Sequence, residues 1–401
     1  MNNEKLIRSD VVSSDAPIKL AILQRVCTGY RIPLFTQLSA NQDIDLTLFI
    51  GEDIPNSKVR SGAELSDVKA RKMKTRFIRL GSRILPWHVG LVSELRKLKP
   101  DVILCEGESH FIGYLQAMLY KCMFGRRVAL MHWCFISLPG WVIIGGSGHR
   151  AKIKQFFRRF FSAFVVYSSY SAECLMKLGQ PEEKIFTATN VGNTQQFIKQ
   201  ADLLKESVAD AREKLAIPDR FTILYVGTLD SNKRPDVMLD LARVCDSDMF
   251  NFVLLGSGDL LEEFRERVIQ ERLSNVFLPG RVSDELPRYF RAANVFLLPG
   301  RGGIAMSEAM AHGLPVIVHQ GDGTEYDLVR DEVTGSHLTV GDLNDFKNAI
   351  ERLQSNPELC RNMGSSGRKL IETCLNTENM VEQIVRASQY ARSARKNSLG
   401  K

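Results

Sequence analysis

Short runs of Val, Ile, Leu and Phe alternate along the chain with longer segments of helical periodicity, and this alternation restricts the possible folds most strongly. Because the runs are continuously apolar, they predict strands covered on both faces, as in parallel sheets. The runs form two series. The first lies at residues 18–23, 46–50, 76–80, 102–105, 128–131, 164–167 and 185–187, and the second at 223–226, 252–255, 276–278, 295–298 and 316–318. Two series predict an α/β protein with two doubly wound, Rossmann-like domains.

The length of 401 residues also suits two domains. We place the first domain at residues 1–195, the second at 205–375, and a C-terminal helix with a basic tail at 376–401. The polar segment of residues 195–215 is predicted to form a linker followed by a helix. Ligands of doubly wound sheets bind beyond the carboxyl ends of the strands. Two facing domains would therefore share one central cleft, with the last helix packing back on the first domain.

The composition excludes several classes of protein. With 44% hydrophobic and 25% charged residues the chain is not a disordered protein. Its eight cysteines contain no C-x-x-C pair, which excludes a zinc ribbon or disulfide scaffold and favours a reducing compartment. The N-terminal residues hold no run apolar enough for a signal peptide, so we expect a cytoplasmic protein.

One apolar stretch, residues 128–145, approaches the length of a membrane span. Pro139 and Gly140 stand near its middle and would break a helix. We therefore expect a buried strand followed by an apolar loop, and contact of that loop with a membrane surface stays open.

The charge is unevenly distributed between the two halves. Residues 1–200 carry 28 Lys and Arg against 16 Asp and Glu, whereas residues 201–401 carry 25 against 30. This asymmetry indicates an anionic partner for the first half. Nucleic acid is not expected, because no stacking motif or recognition-helix pattern accompanies the charge.

Two basic clusters, at residues 69–79 and 150–161, carry much of this charge. In the second, Phe156, Phe160 and Phe164 recur every four residues, which predicts one apolar helical face surrounded by cations, as in membrane-surface helices. The alternative is that the rings pack on the core of their own domain. The residues expected to contact an acceptor or an anionic membrane surface are Arg150, Lys152, Lys154, Phe156, Phe157, Arg158 and Arg159.

Two loops of the second half carry residues suited to an anion. Lys233 and Arg234 follow the strand that ends at Gly227, and adjacent cations there would face a bound phosphate. The pair Gly302 and Gly303 opens a helix and leaves backbone N–H groups free. Glu308, near the start of that helix, can accept two hydrogen bonds from a vicinal diol such as a ribose, although a purely local role is the alternative.

A third loop argues against a nicotinamide enzyme. Gly256 and Gly258 follow a strand, but the third glycine of a dinucleotide fingerprint is replaced by Phe264.

The order of these blocks resembles the family 4 retaining glycosyltransferases of the GT-B fold. The resemblance runs through residues 220–375 and, more loosely, through 167–190. Its most specific block is Glu-Ala-Met-Ala-His-Gly-Leu-Pro-Val-Ile, which begins at Glu308.

The resemblance implies roles for individual residues. Lys233, with Arg234, would bind the diphosphate of a nucleotide-sugar and stabilise it as leaving group, and His132 would line the sugar side of the cleft. Glu308 would bind the ribose. The other donor-binding residues implied are Gly29, Thr228, Arg281, Val282, Gly302, Gly303, Ser307 and Glu325.

Two positions depart from the family pattern. Gly300 stands where the family often has a first glutamate, and Thr228 stands where it usually has an arginine, a loss that Arg234 or Arg301 can offset. The identity of the donor therefore does not follow from the resemblance, and a protein without catalytic activity is the alternative.

The resemblance implies a metal-independent, retaining glycosyltransferase with no cofactor beyond the nucleotide-sugar donor. Its acceptor would be a glycolipid, lipid-linked or polysaccharide molecule, and its place would be cytoplasmic, with a peripheral position on the inner face of the cell membrane. The alternatives are a nucleotide-sugar-binding scaffold and a GT-B sugar-nucleotide epimerase.

Overall fold

A computed structural model describes residues 16–53, 61, 65–80, 83–107, 111–124, 128–134 and 155–399. The strands are β1 (Ile18–Gln24), β2 (Ile44–Ile50), β3 (Ala70–Lys72), β4 (Thr75–Leu80), β5 (Arg83–His88), β6 (Val102–Glu106), β7 (Ala129–Cys134), β8 (Ala163–Val166), β9 (Ile185–Thr187), β10 (Phe221–Val226), β11 (Phe250–Leu255), β12 (Val276–Gly280), β13 (Val295–Leu298), β14 (Val316–Val318) and β15 (Gly335–His337). The helices are α1 (Ile32–Ser39), α2 (Leu91–Leu98), α3 (Phe111–Met123), α4 (Ser169–Lys177), α5 (Thr194–Leu203), α6 (Val208–Lys214), α7 (Asp236–Val244), α8 (Leu261–Gln270), α9 (Leu286–Ala292), α10 (Ile304–Ala311), α11 (Glu325–Leu328), α12 (Leu343–Ser355), α13 (Pro357–Thr373) and α14 (Thr377–Leu399).

Two parallel sheets form the core of the chain. The first has the strand order β3-β2-β1-β6-β7-β8-β9 and the second the order β12-β11-β10-β13-β14-β15. The paired strands within each sheet run parallel. Both sheets reverse their strand order once, between β1 and β6 and between β10 and β13. The predicted α/β fold with two doubly wound sheets is confirmed, and these reversals are where such sheets bind ligands.

Helix α14 joins the two parts of the chain. Its first residue, Thr377, donates from its backbone N to Thr194 Oγ1 and from its hydroxyl to the Gly192 carbonyl, each at 3.1 Å. Further along, the buried Ile384 and Ala391 face the first sheet, where the helix packs on β7, β8, β9 and α1. The expected return of the last helix to the first domain is confirmed.

One predicted strand lies outside the main sheets. The run at residues 76–80 falls in β4, which pairs antiparallel with β5 as a separate hairpin. This corrects its assignment to the first parallel series. In β4 the side chains of Arg76 and Arg79 interrupt the apolar run, and Ile78 is exposed, as suits a strand with only one covered face.

The expected helical face of phenylalanines does not form. In the described part of this segment the helix covers residues 155–158; the chain then turns and enters β8 at Ala163, so Phe164 is a buried residue of the sheet. Phe156 and Phe160 stay exposed, at 52% and 42%. Arg150, Lys152 and Lys154 lie outside the described residues. Among the helices that the structure describes, none is both long and apolar enough to cross a membrane.

Candidate functional site

The strand-order reversal of the second sheet brings two loops into backbone contact. Arg301, in the loop after β13, donates from its backbone N to the Asn232 carbonyl in the loop after β10, at 3.0 Å. A Cβ atom on Gly300 would stand 2.5 Å from the Lys233 carbonyl carbon. Glycine is therefore required at position 300, because any side chain there would displace the segment that carries Lys233.

The amine of Lys233 lies at the start of α10. A Cβ on Gly302, whose φ is +154°, would stand 3.2 Å from Lys233 Nζ. Gly303 is the N-cap of α10 and provides no side-chain cap, which leaves the first N–H groups of the helix available. Burial lowers the pKa of Lys233, and the charges of Asp230 and Asp322 act in the opposite direction. An ammonium and a helix N-terminus converge here, an arrangement suited to a phosphate or diphosphate.

A cavity of about 650 Å³ adjoins this position. It lies beyond the carboxyl ends of β10, β11 and β12. Its lining includes Gly227, Thr228, Gly256, Ser257, Gly258, Asp259, Arg281 and Val282. A Cβ on Gly256 would meet the Gly227 carbonyl oxygen at 1.8 Å, so glycine there permits the close approach of the two loops that form the floor. The structure thus brings the predicted residues Thr228, Arg281 and Val282 to one cavity.

Glu308 projects from α10 and is partly buried. Burial raises the pKa of its carboxyl to about 7. Its side chain accepts no hydrogen bond from the residues that the structure describes. A partly buried carboxylate in this position would be stabilised by hydrogen bonds from a ligand, and the diol of a ribose supplies two hydroxyl donors.

Two other predicted donor residues use their polar atoms internally. Glu325 is fully buried, and its carboxylate accepts from the backbone N of Gly321 at 3.0 Å and of Gly323 at 2.7 Å. Burial raises the pKa of Glu325 to about 6. Ser307 is also fully buried, and its hydroxyl donates to the Ile304 carbonyl and accepts from Gly192 N. Both side chains hydrogen-bond to the backbone of the segments around α10.

His132 lies within the first domain's aromatic core. Its ring stacks on Phe161 with centroids 4.8 Å apart, and Tyr114 and Phe164 approach it edge-on. Only 4% of the residue is exposed. This position agrees better with a core histidine than with a residue that lines the cleft.

The first domain presents a buried cation where its own strand order reverses. Gly29 is exposed and begins the turn that follows β1. Two residues later, Arg31 Nη2 donates to the Tyr167 hydroxyl at 2.7 Å, Nη1 lies 3.6 Å from Glu106, and the guanidinium covers the Trp133 ring. Sequence reasoning missed Arg31, because a single arginine after a glycine carries no distinctive pattern.

A second cavity, of about 590 Å³, opens beyond the carboxyl ends of β1 and β2. Its lining includes Cys27, Glu52, Asp53 and Lys72, and therefore carries charged groups of both signs. It is separate from the 650 Å³ cavity and belongs to the first domain.

The remaining predicted residues take different positions. Arg234 follows Lys233 in a left-handed conformation with φ +50°, which is strained for a residue with a side chain. In the basic aromatic segment, Phe157 packs on Tyr114 and Arg158 is buried, whereas Arg159 is exposed. The segment is therefore split between a face turned to the core and a face turned to solvent.

The two doubly wound sheets have the GT-B fold, and residues 207–370 match the family model described as glycosyl transferases group 1. The chain is 31% identical over 150 residues to a glycosyltransferase of Methanocaldococcus jannaschii, covering 36% of this chain and 42% of the relative. It is 28% identical over 174 residues to the capsular polysaccharide biosynthesis glycosyltransferase CapM of Staphylococcus aureus, covering 41% and 45%. The chain thus spans less than half the length of these two relatives.

Among solved structures, Anabaena HepE in complex with UDP is similar, with a TM-score of 0.70 and 15% identity, covering 92% of this chain and 98% of HepE. This likeness shows that the GT-B fold extends over both domains, and the part outside residues 207–370 shares it.

Proposed function

We propose that the protein is a retaining, metal-independent glycosyltransferase that moves a sugar from a nucleotide-sugar to a glycolipid, lipid-linked or polysaccharide acceptor. The observation that carries the proposal is the position of Lys233 Nζ beside Gly302 at the start of α10. The match of residues 207–370 to group 1 glycosyl transferases supports it. The name of CapM, a relative in capsular polysaccharide biosynthesis, supports the acceptor class.

The chemistry follows from where charge develops. In the transfer, the bond between the anomeric carbon and the diphosphate oxygen breaks, and a bond to the acceptor oxygen forms on the same face of the sugar. The acceptor proton passes to the departing diphosphate. Negative charge grows on that diphosphate, and the Lys233 ammonium with the N–H groups of α10 is placed to stabilise it. Burial lowers the pKa of Lys233, whereas the negative charge of a bound diphosphate would raise that pKa and favour the protonated amine.

The remaining parts of the donor have matching partners. The Glu308 carboxylate would accept from the ribose hydroxyls, and the 650 Å³ cavity with Arg281 and Val282 would hold the base. The 590 Å³ cavity of the first domain is our candidate for acceptor binding. The exposed Phe156 and Phe160, with Arg159, would contact an anionic membrane on its cytoplasmic face.

Gly300 does not by itself favour a non-catalytic scaffold. Its lack of a side chain is explained by the packing of the two loops, which positions Lys233. The scaffold and epimerase alternatives predict different reactions. A scaffold binds donor and converts nothing, whereas an epimerase interconverts sugars without an acceptor.

The first test is thermal stabilisation of the purified protein across a panel of nucleotide-sugars, with Lys233→Ala, Glu308→Gln and the exposed Lys369→Ala as control. A ligand that binds only the folded state raises its stability by mass action. We expect one donor to stabilise the parent and the Lys369→Ala protein but neither site variant. Equal stabilisation of all four proteins would overturn the assigned site, and stabilisation of none by any donor would overturn the proposed function.

A further inference from the structure

Asp322, like Lys233, lies at the N-terminus of α10. It belongs to the loop between β14 and α11, whose two glycines, Gly321 and Gly323, donate to the buried Glu325. A Cβ on Gly303 would stand 2.8 Å from each of the Asp322 carboxylate oxygens. The carboxylate of Asp322 therefore rests against the backbone at the start of α10.

Within the described ranges, the hydrogen bonds of Asp322 involve only one of its two oxygens. Oδ1 accepts from the backbone N of Thr324 at 3.2 Å and from its hydroxyl at 2.6 Å. Oδ2 accepts no hydrogen bond from the described part of the chain, and the residue is partly exposed. One carboxylate oxygen is thus held by the loop, and the other is available to a ligand.

The negative charge of Asp322 acts on the amine of Lys233. Together with Asp230 it opposes the lowering of the Lys233 pKa that burial causes. Asp230 stands on the same loop as Lys233, where its Oδ1 accepts from the Asn232 N at 3.0 Å. Asp322 comes from a separate loop, so a ligand at the start of α10 would have both an ammonium and a carboxylate near it.

A carboxylate at this position cannot come from the loop after β13. Gly300 has no room for a side chain, since its Cβ would stand 2.5 Å from the Lys233 carbonyl carbon. The loop that follows β14 supplies one instead, in Asp322.

We propose, on the basis of the function proposed above, that Asp322 binds the sugar of the donor. Its Oδ2 accepts a hydrogen bond from a sugar hydroxyl while Lys233 holds the diphosphate. Because an anion beside Asp322 would be repelled, the site selects a neutral sugar over a uronic acid. The alternative is that Asp322 only shapes its loop through Thr324.

The test compares the affinities of a nucleoside diphosphate and of its sugar conjugates, measured by calorimetry. The probes are UDP, UDP-glucose and UDP-glucuronate, with the GDP and GDP-mannose pair as the second nucleotide. The variants are Asp322→Asn, which keeps an Oδ1 acceptor for Thr324, and Asp230→Asn as a charge-matched control. We expect Asp322→Asn to leave diphosphate affinity within about twofold, to weaken the neutral sugar conjugate roughly tenfold, and to lessen discrimination against the uronate.

The outcomes separate the inference from the proposed function. Unchanged affinity of Asp322→Asn for every probe, or an equal loss for diphosphate and sugar conjugate, overturns the inference and leaves the transferase intact. The same selective loss in Asp230→Asn also overturns it, because charge near Lys233 would then suffice. Binding of no nucleotide to the parent protein overturns both.

Discussion

At the scale of single residues, Glu308 couples stability to pH. Burial raises the pKa of its carboxyl from 4.5 to about 7 in the folded protein. The contribution of this group to stability is therefore fully present below pH 4.5 and is lost as the pH rises through about 7. We expect Glu308→Gln to gain stability relative to the parent over this window, by about 1–3 kcal/mol. Urea unfolding of both proteins between pH 4.5 and 8 measures the difference, and a pH-independent difference would contradict it.

Residues whose chemistry depends on position along the chain were more predictable than those whose role depends on side-chain direction. Lys233 and Gly302 follow strand ends, and strand ends in parallel sheets share one edge, so their convergence could be predicted. Glu325 and Ser307 stand in equally suggestive motifs but point into the protein. Asp322, four residues after β14 ends at Val318, was not predicted, since a lone aspartate between two glycines is typical of a turn.

At the scale of elements, Asp327 on α11 connects the second domain to α4 of the first. Its carboxylate accepts from the Ser169 backbone N at 3.1 Å and from the Thr189 hydroxyl at 2.8 Å, and Ser169 Oγ is a third donor. We expect Asp327→Ala to lower the free energy of unfolding by about 1–3 kcal/mol, because the two hydroxyls and the backbone N–H lose their charged acceptor at a helix N-terminus.

Urea denaturation measures this loss. The control is Glu262→Ala, which removes an exposed ion pair with Arg265 and is expected to change stability by less than about 1 kcal/mol. Equal effects of the two substitutions would show that the Asp327 contacts do not hold the domains together.

The elements of both sheets could be predicted because continuous apolar runs mark strands covered on two faces. The errors arise where one apolar pattern fits two environments. The run in β4 has a hairpin partner that starts three residues later, and Phe156, Phe160 and Phe164 keep a helical spacing while the chain turns into β8. Periodicity identifies which residues are apolar, but only tertiary packing decides which surface covers them.

At the scale of the whole molecule, the two domains differ in charge and the exposed aromatic residues Phe156 and Phe160 lie on the basic one. The cations attract an anionic surface over a distance set by salt, and the rings add apolar contact once the surface is reached. Neither contribution alone anchors a protein firmly, so together they predict reversible, salt-sensitive binding.

We therefore expect the protein to co-sediment with vesicles containing anionic lipid at low salt, and to be released as the ionic strength rises. The double substitution Phe156→Ser and Phe160→Ser should weaken this binding roughly tenfold, because two rings no longer insert. Ile269→Ser is the matched control, since Ile269 is 77% exposed but belongs to the acidic second domain. Equally strong binding to neutral vesicles, or no binding to anionic vesicles at low salt, would contradict the prediction. An equal loss of binding in the Ile269→Ser protein would show that general surface hydrophobicity, and not the face with Phe156 and Phe160, is responsible.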